Sequence, residues 1–151
     1  MVLVSWSVIQ SFNSPTLKYF STDFKVDLKW FVSLLESCMV ETCKHFGVSA
    51  FAHSSTGVFV QSNLPTPSNC CIDKEEKKIG AIGLQLSRFR TMHGLSLNCS
   101  IDPSVFSLIN ACGLNTRHTN LSIEANRSIT IDLVEPIFLE IFQSQFRIKL
   151  Q

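Results

Sequence analysis

The chain has 151 residues, 45% of them hydrophobic and 17% charged, with 13 basic against 12 acidic side chains and a formal net charge of +1 at pH 7. That length suits one domain with a substantial core, and the apolar content excludes a disordered chain. The near-neutral charge removes any electrostatic case for nucleic acid or an anionic membrane, and no apolar run approaches the roughly 20 residues that span a bilayer.

Residues 1–12 are apolar but carry neither the basic start of a signal peptide nor the arginines of a transit peptide. The clearest predicted helix runs from Asp27 to Phe46, where Leu28, Phe31, Leu35, Cys38, Met39, Thr42 and Phe46 recur near one face. Asp27 suits its N-cap and Gly47 its stop. Val48–His53 and Gly57–Gln61 read as short strands around a polar turn. Residues 62–77 read as a loop, because Pro65 and Pro67 break regular structure and a charged run follows from Asp73 to Lys78. Ile79–Leu86 and Leu95–Cys99 alternate and read as paired strands, with Arg88 and Arg90 at a hairpin tip. Asp102-Pro103 starts a further helix, with Asp as cap and Pro first, which turns Val105, Phe106 and Ile109 inward and delivers the chain to Cys112. A last helix is predicted over Ile129–Ile148, with Pro136 near its first turn and Ile137, Phe138, Ile141 and Phe142 packing it on the sheet. No internal repeat is visible. Strands and helices mixed in this way predict an α/β class, an α+β sandwich.

The six cysteines lack the spacing of a secreted disulfide scaffold, so a reducing compartment is expected. Without a signal peptide, the Asn-x-Ser patterns at Asn98, Asn120 and Asn126 carry little weight. Cysteine is among the most buried residue types, so Cys38, Cys43 and Cys99 are read as core. Cys70-Cys71 has no second pair at metal-ligand spacing, and no structural zinc is expected. Cys112 differs, lying in a loop beyond a helix end and just before Gly113. A cysteine nucleophile works as the thiolate, which a nearby ammonium favours. Lys74, Lys77 and Lys78 with Glu75 and Glu76 form an ordinary solvated charge run, but Lys78 alone abuts the apolar strand. Between Lys78 and Cys112 lie the small segments Ala81-Ile82-Gly83 and His93-Gly94-Leu95-Ser96, which would let backbone approach a bound chain closely. His93 is a candidate base or a wall of the site; the wall is preferred because the lysine already fills the charge role.

In order and spacing, the run from Lys77 to Gly113 resembles the octanoyltransferases of the lipoate pathway, also called lipoate–protein ligase B. Thr56–Val60 (TGVFV) is similar to that family's strand before the lysine, and Lys78-Ile79 to its catalytic lysine and the apolar residue after it. Thr91–Asn98 (TMHGLSLN) resembles its HG-L-A-L-N strand; Asp102–Phe106 and Ala111-Cys112-Gly113 resemble its D-L-x-x-F and P-C-G segments. Ser96 and Ala111 stand where the family usually has Ala and Pro. The likeness extends over residues 23–146, and an octanoyltransferase domain is expected over 23–151.

The resemblance implies the biotin/lipoyl ligase-type fold, a mixed β-sheet flanked by helices. It implies that Cys112 attacks an octanoyl thioester to form an acyl-enzyme, and that Lys78 lowers the thiol pKa and shuttles protons. It assigns Ala81, Ile82, Gly83, His93, Gly94, Leu95 and Ser96 to substrate binding, and Ile79, Ile82, Leu84, Leu95 and Leu97 to an apolar acyl pocket. Backbone N–H groups near Lys78 and Gly113 would form the oxyanion hole. The implied donor is octanoyl-acyl carrier protein. The implied acceptors are lipoyl domains of 2-oxoacid dehydrogenases and the glycine cleavage H protein, with no metal, nucleotide or redox cofactor. The location would be mitochondrial in a eukaryote and cytoplasmic otherwise.

Residues 1–22 depart from the family, whose Arg-Gly-Gly and His-Gly-Pro-Gly-Gln stretches have no counterpart there. They are expected to form an atypical N-terminal segment of a truncated or alternatively spliced product with impaired transfer. Alternatives are an inactive family member that at most binds lipoyl domains, an ATP-using lipoate or biotin ligase relative, and an unrelated structural domain. Cys112 in its ACG context argues against the ATP-using class.

Overall fold

The computed structural model describes residues 28–62, 75–87, 90–102, 104 and 117–147. The segments 1–27 and 105–116 lie outside the described residues, and with them the atypical N-terminus expected over 1–22 and Cys112.

Helix α1 (Leu28–His45) buries Phe31, Leu35, Cys38, Met39 and Thr42, the stripe that the 3.6 periodicity predicts. Leu28, expected on that stripe, is 47% exposed. The helix stops at Gly47, whose φ of +82° costs a residue without Cβ little. The Gly47 N–H closes on the Lys44 carbonyl at 2.9 Å, and the Val48 N–H on that of Cys43 at 2.9 Å.

Four antiparallel strands follow in the order β1 (Ala50–Ala52), β2 (Val58–Ser62), β3 (Glu75–Ser87) and β4 (Arg90–Leu97). β3 begins at Glu75, inside the charged run read as loop, because Glu75, Glu76 and Lys77 find backbone partners in Ser62, Gln61 and Val60 of β2. β4 likewise begins earlier than alternation suggests, with Arg90 in register with Ser87. A short β5 (Arg117–His118), not predicted from the sequence, pairs parallel with β3 and makes the sheet mixed.

The one-turn α2 (Leu121–Glu124) is capped by Asn120, whose Oδ1 accepts the Ile123 N–H at 2.8 Å. The final helix, α3 (Ile131–Phe146), buries Val134, Phe138, Phe142 and Phe146. It packs mainly on α1 rather than on the sheet as expected. The reason is an aromatic ladder: Phe146 meets Phe31 of α1 edge-on at 5.7 Å and Phe142 at 4.3 Å. α1 thus lies between the sheet and α3, and one core joins all three layers through Met39, Val58, Val60, Ile79, Leu97 and Phe142.

Candidate active site

Lys78 lies on β3 where the pairing with β2 slips. Val58 is opposite Gly80 while Phe59 is opposite Lys78, so Ile79 is an extra residue on β3. A bulge of this kind breaks the two-residue alternation and re-aims its neighbours. Ile79 is fully buried in the core, and a Cβ on Gly80 would meet the Met39 sulfur at 2.8 Å, so both face α1. Lys78, in register with Phe59, therefore falls on the opposite face, the one α1 does not cover. Unbroken alternation from Gly80, Ile82 and Leu84 would have turned it inward.

On that open face the lysine is held on two sides. Its Nζ donates to the Thr56 carbonyl at 3.3 Å and stands 5.4 Å from the centroid of the Phe59 ring. The Thr56 carbonyl is presented by a tight turn in which Thr56 has φ +55° and Gly57 φ +125°. Beneath the turn, the buried Glu36 of α1 accepts the Gly57 N–H at 2.8 Å. The open face continues past Phe59 to His53, whose ring lies 4.8 Å from that of Phe59 and whose Nε2 is 3.4 Å from Glu76 Oε2.

Beyond the bulge, alternation resumes. Ala81 pairs with Ser96 and Gly83 with Gly94, which brings these four small residues together on the face of Lys78. A Cβ added to Gly83 would meet nothing within 4 Å, so the floor there is open. Ile82 and Leu95, assigned to the same site from the sequence, turn the other way: Leu95 is in the core and Ile82 packs against it. Ile79, Leu84 and Leu97, expected with them in an apolar pocket, lie on that side too. All five belong to the α1 side of the sheet, where large apolar groups leave water. His93 lies in β4 in register with Leu84.

On its other side Lys78 meets β5. His118 is its register partner, and the Thr119 N–H donates to the Lys78 carbonyl at 3.0 Å. Asn98, at the end of β4, ties this junction together: its N–H donates to the Ile79 carbonyl at 2.9 Å and its Nδ2 to the Thr119 carbonyl at 3.0 Å. Asn120 Nδ2 donates to the Ile101 carbonyl at 2.6 Å. The segment carrying Cys112 thus leaves and returns to the described structure at neighbouring points. At its start the Ser104 N–H donates to Asp102 Oδ1 at 2.9 Å, as expected of a helix cap, and this holds the exposed Asp102 carboxyl below its ordinary range.

Three of the other cysteines are inert by position. Burial pushes the Cys38 thiol up to about 12, and burial reinforced by the Cys99 charge does the same to Cys43. Burial alone raises Cys99 to about 11. At pH 8 a thiol of pKa about 12 is ionised to roughly one part in ten thousand. Brief iodoacetamide treatment near neutral pH is therefore expected to leave Cys38, Cys43 and Cys99 unmodified in the folded chain and to label Cys112 first. Peptide mass mapping checks this, and faster labelling at Cys38 or Cys99 would overturn it. Cys70 and Cys71 lie outside the described residues. Among the described residues no three His, Cys, Asp or Glu side chains gather as a metal site, and no helix is long and apolar enough to cross a membrane.

Sequence reasoning missed three parts of this site. Gly57 falls within a predicted strand, and Glu36 falls on a helix face that periodicity leaves unremarked. His118 sits in a polar stretch without any pattern.

Comparison with known proteins agrees with the architecture. The lipoyl protein ligase A/B catalytic domain matches residues 14–143. The chain is 37% identical over 124 residues to a mitochondrial octanoyl-[acyl-carrier-protein]:protein N-octanoyltransferase of Danio rerio, covering 82% of this chain and 49% of that protein. It is 35% identical over 111 residues to an octanoyltransferase of Mycobacterium sp. (strain KMS), covering 72% of this chain and 43% of that one. The chain spans about half the length of the curated relatives it matches. Among solved structures it is similar to lipoate-protein ligase A bound with ATP, with a TM-score of 0.59 over 85% of this chain and 50% of that one; at 16% identity this likeness carries the fold alone. A match over most of the chain, on the mixed sheet and bulged lysine strand described above, establishes that the protein belongs to the lipoyl protein ligase A/B catalytic-domain family.

Proposed function

We propose that the protein transfers an octanoyl group from acyl carrier protein to a lysine of a lipoyl domain, through a thioester on Cys112. The observation that carries this reading is the bulge at Ile79, which turns Lys78 onto an open, small-residue face beside His118. His118 stands six positions after Cys112, so chain length keeps that thiol within roughly 20 Å of the Lys78 junction. The Danio rerio relative carries octanoyl-[acyl-carrier-protein] and N-octanoyltransferase in its name, which supports the same donor and reaction here.

In the first half-reaction the Cys112 thiolate attacks the donor thioester. A new C–S bond forms, the carrier's C–S bond breaks, and the carrier leaves as a thiol after taking a proton that Lys78 can supply. In the second, the acceptor lysine nitrogen bonds to the acyl carbon and gives its proton to the Lys78 amine left neutral by the first step, the Cys112 C–S bond breaks, Cys112 leaves as thiolate and an amide remains. Thioester exchange is nearly balanced, and amide formation draws the sequence forward. Ala81, Gly83, Gly94 and Ser96 form the floor on which the acyl chain lies, and each methylene removed from water contributes about 0.8 kcal/mol. Mitochondrial lipoyl domains are the natural acceptors in a eukaryotic source, in keeping with the mitochondrial relative.

The test is direct. The chain is incubated with octanoyl-acyl carrier protein, its intact mass is measured, and the adduct is mapped before a lipoyl domain is added. An octanoyl adduct on Cys112 that passes to the lipoyl domain is expected. No adduct, or one on another residue, would overturn the proposal.

A further inference from the structure

Resting on that reaction, we infer that Glu36 of α1 is a positioning residue for Lys78, acting through the Thr56–Gly57 peptide. This one peptide unit is held at both ends. Its N–H donates to Glu36 Oε1 at 2.8 Å, and its carbonyl accepts from Lys78 Nζ at 3.3 Å. The unit is planar and trans, so these two groups point in opposite directions. Glu36 is buried on α1, and Lys78 is on the face that α1 leaves open. The peptide therefore joins the core to the site as a single rigid link.

Bonds within the turn do not fix that link. The His53 N–H donates to the Gly57 carbonyl at 3.2 Å, the Thr56 N–H to the His53 carbonyl at 3.1 Å, and the Ser55 N–H to His53 Nδ1 at 3.1 Å. Turning the Thr56–Gly57 plane over would leave these bonds in place, because it changes only the two dihedrals that flank the plane. It would set two oxygens against each other at Glu36 and two donors against each other at Lys78. Glu36 thus selects the orientation that offers a carbonyl to the lysine. Thr56 is held at φ +55°, which a β-branched residue rarely adopts and which persists only where the surroundings impose it. The lysine stem lies against the same turn: the place of a Cβ on Gly57 is 2.8 Å from Lys78 Cε and 3.3 Å from Nζ.

The chemistry needs this fixed partner. Lys78 gives a proton in the first half-reaction and takes one in the second. An ammonium carries three N–H groups and a neutral amine two, so one N–H can stay on the Thr56 carbonyl in both forms. With Cε and that N–H held, the two remaining positions on the nitrogen keep their directions through both steps.

Three variants separate the reach of the Glu36 side chain from its charge. Glu36→Gln keeps an oxygen at the same reach without the formal charge. Glu36→Asp keeps the charge one methylene short, and Glu36→Ala removes both. The Ala and Asp variants should lower kcat for octanoyl transfer to a lipoyl domain about tenfold or more, with KM for octanoyl-acyl carrier protein within about twofold. Glu36→Gln should recover most of that loss. Placement is read separately by NMR, with neither donor nor acceptor present. A nuclear Overhauser contact between Gly57 Hα and Lys78 Hε is expected in the original chain and in Glu36→Gln, weakened in Glu36→Asp and lost in Glu36→Ala. Glu41→Gln, exposed on α1, should match the original chain in both measurements. Normal transfer by folded Ala and Asp variants, a change in KM alone, a loss of transfer with the contact intact, or a Gln loss equal to that of Ala would each overturn the role. If neither Ala nor Asp folds, the contact itself decides, and its absence from the original chain or from Glu36→Gln overturns the role. If the original chain transfers nothing, the proposed reaction falls, while the NMR comparison still decides whether Glu36 places the lysine.

Discussion

Serine in place of Cys112 is expected to abolish the octanoyl adduct, and alanine in place of Lys78 to slow octanoyl transfer by about a hundredfold or more. The first follows because a hydroxyl does not ionise near neutral pH and gives no nucleophile comparable to a thiolate. The second has a measurable origin. On the proposed reading the ammonium of Lys78 favours the Cys112 thiolate, so its removal is expected to move the alkylation profile of Cys112 to higher pH. A shift of one unit corresponds to about 1.4 kcal/mol of lost thiolate stabilisation. Lys77→Ala is the matched control. Lys77 is in register with Val60, a core residue, and so projects to the opposite face from Lys78. It removes the same formal charge one residue away. If Lys77→Ala shifts the profile as far as Lys78→Ala, general charge rather than a positioned lysine sets the reactivity. Alkylation rates across pH 6–10, beside single-turnover transfer, separate the two.

Gly57→Ala is expected to destabilise the fold by about 2–4 kcal/mol and to lower the melting temperature by roughly 5–15 °C. At φ +125° an L side chain is strained whatever the space, and here there is none: the added Cβ would lie 2.8 Å from the Gly80 carbonyl oxygen and 2.8 Å from Lys78 Cε. The turn cannot retreat freely, because the Gly57 N–H is bound by the buried Glu36 and the Thr56 carbonyl by Lys78. Activity should therefore fall even where the variant is fully folded, since relief of the clash moves the lysine. Gly47→Ala provides the comparison. Its φ of +82° is also positive, but nothing lies within 4 Å of the added Cβ, so the cost should be about 1 kcal/mol. Thermal melts of both variants decide the matter; a Gly57→Ala melt within a degree or two of the original would show that the turn is not held as described.

The elements that could be read from the chain are those whose signal is local. α1 declares itself by apolar residues every three or four positions and ends at Gly47, and α3 carries the same period through Phe138 and Phe142. The β3–β4 hairpin alternates, and Cys38 and Cys43 on α1 and Cys99 just past β4 are buried as expected. The motif pieces around Lys78 and Gly94 keep their order and spacing, which is enough to indicate the family without any contact being known.

What the chain alone did not disclose is which face each residue takes near the site. Alternation is unbroken in the one-dimensional pattern, and the extra residue at Ile79 exists only when β3 is laid against β2. That slip sends Lys78 to the open face, while Leu95 lies in the core and Ile82 packs against it. α3 packs on α1 because a phenylalanine of each helix meets the other, a fact of shape that no periodicity contains. His118 is the clearest case. Forty positions separate it from Lys78, two residues of β5 are too few to carry a strand pattern, and their pairing depends on the clamp that Asn98 and Asn120 make between distant backbone segments. The sequence by itself determined the family, the two long helices and the buried cysteines, because period and order survive in one dimension; the tertiary structure alone decided the neighbours of Lys78, because they are set by pairing between strands far apart along the chain.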